Sequence, residues 1–105
     1  MEQTQQNNQV NTRFRVMPPK DYDVIMHNDD VTTMDFVVMV LESIFRKSEE
    51  EAEALMLMVH NMGQAVAGTY KKDIAESKVR KATALARENG FPLMLTVEEK
   101  ENHND

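Results

Sequence analysis

The stretch Tyr22-Asp23-Val24-Ile25-Met26-His27-Asn28-Asp29-Asp30-Val31-Thr32-Thr33-Met34-Asp35-Phe36-Val37 changes its hydrophobic period halfway along. Up to His27 the residues alternate, with Tyr22, Val24 and Met26 on one face, which is the pattern of a half-buried strand. Asn28-Asp29-Asp30 stops it, because Asn and Asp side chains compete for backbone hydrogen bonds. Thr32-x-x-Asp35 then opens a helix in the manner of a capping box. Val37, Val40, Leu41 and Ile44 carry that helix at helical spacing to about Arg46.

Further along, Ser48-x-x-Glu51 predicts a second helix start. Its apolar stripe of Ala52, Leu55, Met56 and Val59 runs to about Met62, and Gly63 is placed to end it in the left-handed conformation. Glu49, Glu50, Glu51 and Glu53 crowd its N-terminal end, where the helix dipole favours acids. Ala65 to Tyr70 is short and β-permissive, hence a second strand. Lys72 or Asp73 to Asn89 reads as a third helix, with Ile74, Val79, Ala82, Leu85 and Ala86 facing inward. Gly90 caps it, and Pro92 blocks continuation. Leu93 to Val97 is the last strand. The order β-α-α-β-α-β predicts an α+β domain, a small three-stranded, largely antiparallel sheet with three helices packed on it.

Backward from Tyr22 the pattern is lost. Gln3, Gln5, Gln6, Asn7, Asn8, Gln9 and Asn11 bury too little apolar area to offset backbone ordering at ~1–2 kcal/mol per residue. Arg13, Arg15 and Lys20 make this arm mildly basic, and Pro18-Pro19 ends it as a stiff spacer. We therefore expect a flexible extension over 1–20, a folded core over 21–98 and a disordered acidic tail over 99–105.

Composition narrows the function. The 105 residues suit one domain, and 41% hydrophobic residues are too many for a wholly disordered chain. Twelve basic against 18 acidic residues give a net charge of −6, which argues against nucleic acid as the main partner. With no cysteine, disulfides, thiolate catalysis and Cys-ligated metals are excluded. No apolar run approaches the ~18 residues of a membrane span, and the first residues lack a signal-peptide core, so a cytoplasmic protein is expected.

Catalytic motifs are missing too. There is no Gly-x-Ser-x-Gly, no Gly-rich phosphate loop and no His-Glu-x-x-His. Ser43, Ser48 and Ser77 have no His near them in sequence. His27, His60 and Asp29 make only a thin metal-ligand set. We expect no enzyme, no metal and no cofactor. His60 sits late in the second helix, where it interacts with the helix dipole or borders a site shared with the end of the first strand. Asn28-Asp29-Asp30 is a turn or an acceptor cluster. Met34, Met56 and Met58 flank these groups, as core or as the lining of an apolar concavity. On the third helix, Lys78, Arg80, Lys81 and Arg87 form a solvated face or a docking face.

The run from Tyr22 to Val37 resembles the opening of the ClpS family, above all in Asn28-Asp29-Asp30-x-Thr32-x-Met34-Asp35-Phe36-Val37. Further matches follow in order: Met56-Leu57-x-Val59-His60, Gly63-x-Ala65, Ala75-Glu76-x-Lys78-Val79, Ala86-Arg87-Glu88-Asn89 and Pro92-Leu93. These proteins are adaptors of the bacterial Clp AAA+ protease that recognise N-degrons. The resemblance implies a fold similar to the C-terminal domain of a ribosomal stalk protein. It implies an adaptor that takes proteins beginning with Leu, Phe, Tyr or Trp to a ClpA- or ClpC-type unfoldase. Asn28, Asp29 and His60 match the residues that hold the α-amino group. Met26, Thr32, Met34, Val37, Met56, Val59 and Leu93 match the pocket for the first side chain, with Met56 matching the gate against β-branched residues. Lys78 matches a contact to the unfoldase's N-terminal domain, and Asp73 stands where the family often has Glu. Thr33 replaces a common Pro, Met26 replaces a common Leu, and His27 is unusual beside Asn28. On the residues alone, the alternative is a ribosome-associated or other protein-interaction module with a stalk-domain-like fold.

Overall fold

The computed structural model describes residues 18–101. Most of the expected N-terminal extension and the last four residues of the expected tail lie outside the described residues. The element order is β1 (Tyr22–His27), α1 (Met34–Ser43), α2 (Glu49–Met62), β2 (Gln64–Tyr70), α3 (Lys72–Glu88) and β3 (Met94–Glu99). The three strands form one sheet in the order β2-β1-β3, and both pairings are antiparallel. The β-α-α-β-α-β α+β architecture is thus as the sequence predicts.

Alternation along the central strand separates two faces. Val24 and Met26 are completely buried in the core with Phe36, Val40, Leu41, Ala82 and Leu93. Burying each of the larger side chains contributes about 1.5–3 kcal/mol. Asp23, Ile25 and His27 face the other way. His27 Nε2 lies 2.9 Å from Thr96 Oγ1 on β3, so this imidazole ties two strands together. Among the described residues no three metal-ligating side chains come together, and the His27–His60–Asp29 reading is set aside.

Helix ends follow capping chemistry, with one shift. Ser48 and Glu51 form the reciprocal capping box at α2, with bonds of 3.1 and 3.0 Å. Gly63 ends that helix at φ 93°. At α1 the cap is Thr33, not Thr32: Phe36 N donates to Thr33 Oγ1 at 3.2 Å. Thr32 is committed to Asp29 instead. α1 also stops at Ser43, short of Arg46, because the chain turns through a left-handed residue at Arg46 (φ 57°).

α3 packs through alanines. Ala75, Ala82 and Ala86 are fully buried, with Val79 half-buried on the same stripe. The expected inward Ile74 is 47% exposed, since the buried stripe is set one residue later. β2 carries an irregularity opposite Val24 and Ile25. Beyond it the Tyr70 ring lies across Gly68, where a Cβ would overlap it. β3 extends two residues past the expected Val97, and Lys100 N donates to Asp21 O at 2.9 Å.

Candidate functional site

The site forms where β1 ends, and three local interactions build it. Asp29 folds the loop after the strand into an Asx turn: Val31 N and Thr32 N donate to Oδ1 at 2.8 and 2.7 Å, and Thr32 Oγ1 donates to Oδ2 at 2.8 Å. Thr33 then starts α1. Asn28 N donates to Gly63 O at 2.9 Å, which ties this loop to the C-terminus of α2. His60 stands one turn before Gly63 and so reaches the same place.

The result is an open cleft of roughly 400 Å³, within the range usual for small-molecule and side-chain sites. Asn28, Asp29 and His60 all border it, joined by Thr32, Met34, Val37, Met56 and Val59. Asp30, Val31 and Thr33 line it too, though nothing in their spacing separated them from an ordinary turn. Two expected pocket residues do not line it. Met26 and Leu93 are 0% and 1% exposed and belong to the buried core. Met58 is half-exposed on α2 and does not border it either.

The polar groups differ in what they have left to offer. A carboxylate accepts about four hydrogen bonds, and Asp29 has used three within its own loop. Partial burial works against its charge. The donors at Thr32 and Val31 and the nearby Arg87 guanidinium outweigh this and hold its carboxyl below the usual range. The side chains of Asn28 and His60 make no hydrogen bond among the described residues, so their acceptors are open to the cleft. The cleft thus combines polar groups of Asn28, Asp29 and His60, and a second carboxylate at Asp30, with apolar walls. That combination suits a primary ammonium attached to an apolar group.

Arg87 has a part that its place in a basic run does not suggest. Its Nη1 donates to Phe91 O at 2.8 Å and Leu93 O at 3.0 Å. Phe91 in turn packs against Phe36 of α1, with ring centres 4.8 Å apart and the planes tilted by 55°. The guanidinium therefore secures the turn that supports the base of α1.

The expected docking residues lie elsewhere, on α3. Asp73 is exposed in its first turn. Lys78 Nζ donates to Ile44 O at the end of α1, 2.8 Å away, and lies 5.3 Å from the centre of the Tyr70 ring. Burial lowers its pKa, and Lys81 and Arg46 lower it further. A larger hollow at the far end of the sheet is bounded by Pro18–Asp21 and Glu99–Glu101, the two ends of the described chain.

Fold and cleft together define a small α+β module with a recess of hydrogen-bond acceptors above apolar side chains. Residues 17–96 match the model of the family described as ATP-dependent Clp protease adaptor protein ClpS, and the chain belongs to this family. It is 51% identical over 85 residues to the ATP-dependent Clp protease adapter protein ClpS of Lawsonia intracellularis, covering 81% of this chain and 78% of that protein. The protein of the same description from Deinococcus radiodurans is 50% identical over 86 residues, covering 82% and 76%. The structure of Agrobacterium tumefaciens ClpS2 bound to L-phenylalaninamide superposes with a TM-score of 0.77 at 44% identity, covering 79% of this chain and all of that one. The protein is thus an adaptor of the Clp protease by family. No helix among the described residues is long and apolar enough to cross a membrane.

Proposed function

We propose that the protein works in the cytoplasm and binds proteins whose first residue is Leu, Phe, Tyr or Trp. It then delivers them to a ClpA- or ClpC-type AAA+ unfoldase for degradation. Asn28, Asp29 and His60 receive the free α-ammonium. Thr32, Met34, Val37, Met56 and Val59 surround the first side chain. The convergence of these acceptors with two methionines in one cleft carries the reading. The ligand of the Agrobacterium relative supports it, because phenylalaninamide presents a free amine beside a large apolar side chain.

The energies fit two-point recognition. Charge-assisted hydrogen bonds to the ammonium contribute about 1.5–3 kcal/mol each. Burial of a Leu or Phe side chain adds ~1.5–3 kcal/mol. Set against ordering costs, the sum is consistent with a Kd in the micromolar range, about −8 kcal/mol. Neither part suffices alone, so both the amine and the large side chain are required. Met56 is half-buried in the wall, while Met34, 44% exposed, stands at the rim. Met56 is the proposed gate against a branched Cβ, and Met34 closes the opposing side of the mouth.

Fluorescence anisotropy with a labelled peptide beginning in Leu, beside its N-acetylated twin, tests the reading. Binding of the free amine alone is expected; equal binding of both, or of neither, refutes it. Delivery is tested by degradation of a Leu-initiated reporter with the Clp unfoldase–protease, with and without this protein. Asp73 and Lys78 on α3 are the proposed docking contacts.

A further inference from the structure

Arg87 ends the basic run of α3, yet its guanidinium works on the corner that follows the helix. Gly90, left-handed at φ 79°, turns the chain out of α3, and Phe91 N donates back to Ala86 O at 2.9 Å. Arg87 Nη1 donates to Phe91 O at 2.8 Å and to Leu93 O at 3.0 Å, just before β3 begins. Phe91 is therefore held at both its amide and its carbonyl, and its ring is kept against Phe36. Phe36 belongs to the first turn of α1, where its N–H donates to the Thr33 cap. Around it Thr33, Met34 and Val37 line the cleft, which Arg87 itself does not border. α1 packs chiefly on α2. Through the ring pair its first turn also meets the corner between α3 and β3, which opposes a tilt of the end that carries Met34.

We propose that Arg87 is a positioning residue for first-residue recognition: by fixing the Phe91 corner it braces Phe36, and so sets the Met34–Val37 wall of the cleft against Met56 and Val59 of α2. The inference rests on the adaptor reading above. The guanidinium acts on the ligand in two ways of opposite sign. As a donor to two carbonyls it preorganises the wall, so that a bound side chain need not order it. As a cation close enough to act on Asp29, it opposes an incoming ammonium. Arg87 is exposed, so water and salt screen the repulsion, whereas the two carbonyl bonds are short and direct. The brace outweighs the charge.

The test is anisotropy with the Leu-peptide on the full chain, with urea unfolding giving the folded fraction of each variant, so that every Kd refers to folded protein. Arg87→Met removes the donors and the charge together and is expected to raise Kd about three- to tenfold, the worth of one aromatic pair. Arg87→Lys keeps the charge on a shorter side chain and should lie between. Phe91→Leu should weaken binding by a similar factor, and adding Arg87→Met to it should cost little more, because both act through one corner; fully additive losses refute that route. Arg80→Met removes a neighbouring charge from the same helix and should stay within about twofold. If folded Arg87→Met binds within about twofold of the unmodified protein, Arg87 serves stability alone and the proposal is refuted. Tighter binding makes Arg87 a source of repulsion only and refutes it equally. Should Arg87→Met fail to fold, Phe91→Leu decides by the same criterion. Failure of the unmodified protein to bind the peptide overturns the adaptor reading, and this inference with it.

Discussion

Replacing Asp29 by Asn separates the carboxylate's two duties. In the loop, Oδ1 accepts from Val31 N and Thr32 N, while Oδ2 accepts from the Thr32 hydroxyl. An Asn side chain keeps a carbonyl oxygen for the two amides, and the Thr32 hydroxyl can rotate to accept from its NH₂. The turn therefore survives. The negative charge does not. A hydrogen bond to a charged group contributes about 1.5–3 kcal/mol and a neutral one about 0.5–1.5. Loss of charge facing the ligand ammonium thus costs about 1–1.5 kcal/mol, a five- to tenfold rise in Kd. Asp29→Ala, which removes all three loop bonds, is expected to lower stability by about 2 kcal/mol, because water reaches the freed amides and offsets part of the loss. Anisotropy with the Leu-peptide gives the first quantity, and urea unfolding gives the second. A pH series adds a sign. The folded pKa of Asp29 lies below its ordinary value, so its stabilisation is complete above the usual carboxylate range. It is lost as pH falls through the lowered folded value. The stability gap between the unmodified protein and Asp29→Asn should narrow below about pH 4. Unchanged peptide affinity in Asp29→Asn would refute the electrostatic part of the reasoning, and an unfolded Asp29→Asn protein would refute the account of the turn.

Other outcomes follow from the same geometry. Met56→Ala should admit peptides beginning with Ile or Val, and Met34→Ala should do so more weakly; exclusion by both variants in the anisotropy assay removes the gate assignment. Peptide affinity should fall above about pH 8, where the ligand amine loses its charge, and His60→Ala should weaken it at neutral pH; an unchanged affinity in His60→Ala contradicts the role given to His60. Ser48→Ala removes the α2 cap and should cost about 1 kcal/mol in urea unfolding, with no change in peptide affinity. Gly68→Ala drives a methyl into the Tyr70 ring and should lower stability by about 1–3 kcal/mol, with a changed near-ultraviolet spectrum.

The topology was readable because Val24, Val40, Ala52, Val59 and Ala82 mark their faces at unambiguous periods. Gly63 and the Ser48–Glu51 box also announce their helix ends without help from tertiary structure. Errors arose where two local solutions competed. Thr32 and Thr33 can both cap a helix, and only the prior claim of Asp29 on Thr32 decides between them. Ile74 looks like core because isoleucine is apolar, whereas α3 needs small residues to sit close on the sheet and uses Ala75. Met26 and Leu93 are buried in the core and do not line the cleft, a placement that no local pattern separates from a pocket wall. The contribution of Arg87 was invisible because its partners are carbonyls, which no side-chain pattern reports.

The placing of β1 has a mechanical consequence. The strand is central, with ladders to β2 and β3 on both sides, and the chain enters it at Tyr22, at the opposite end from the cleft. Six residues put these ends about 20 Å apart. Tension applied to the chain ahead of Pro18 runs along the strand axis and loads both ladders in shear, so their hydrogen bonds must yield together rather than unzip singly. A machine that grips this leading segment should therefore find the domain slow to unravel, while the loop that carries Asn28 and Asp29 stays beyond the reach of the pull.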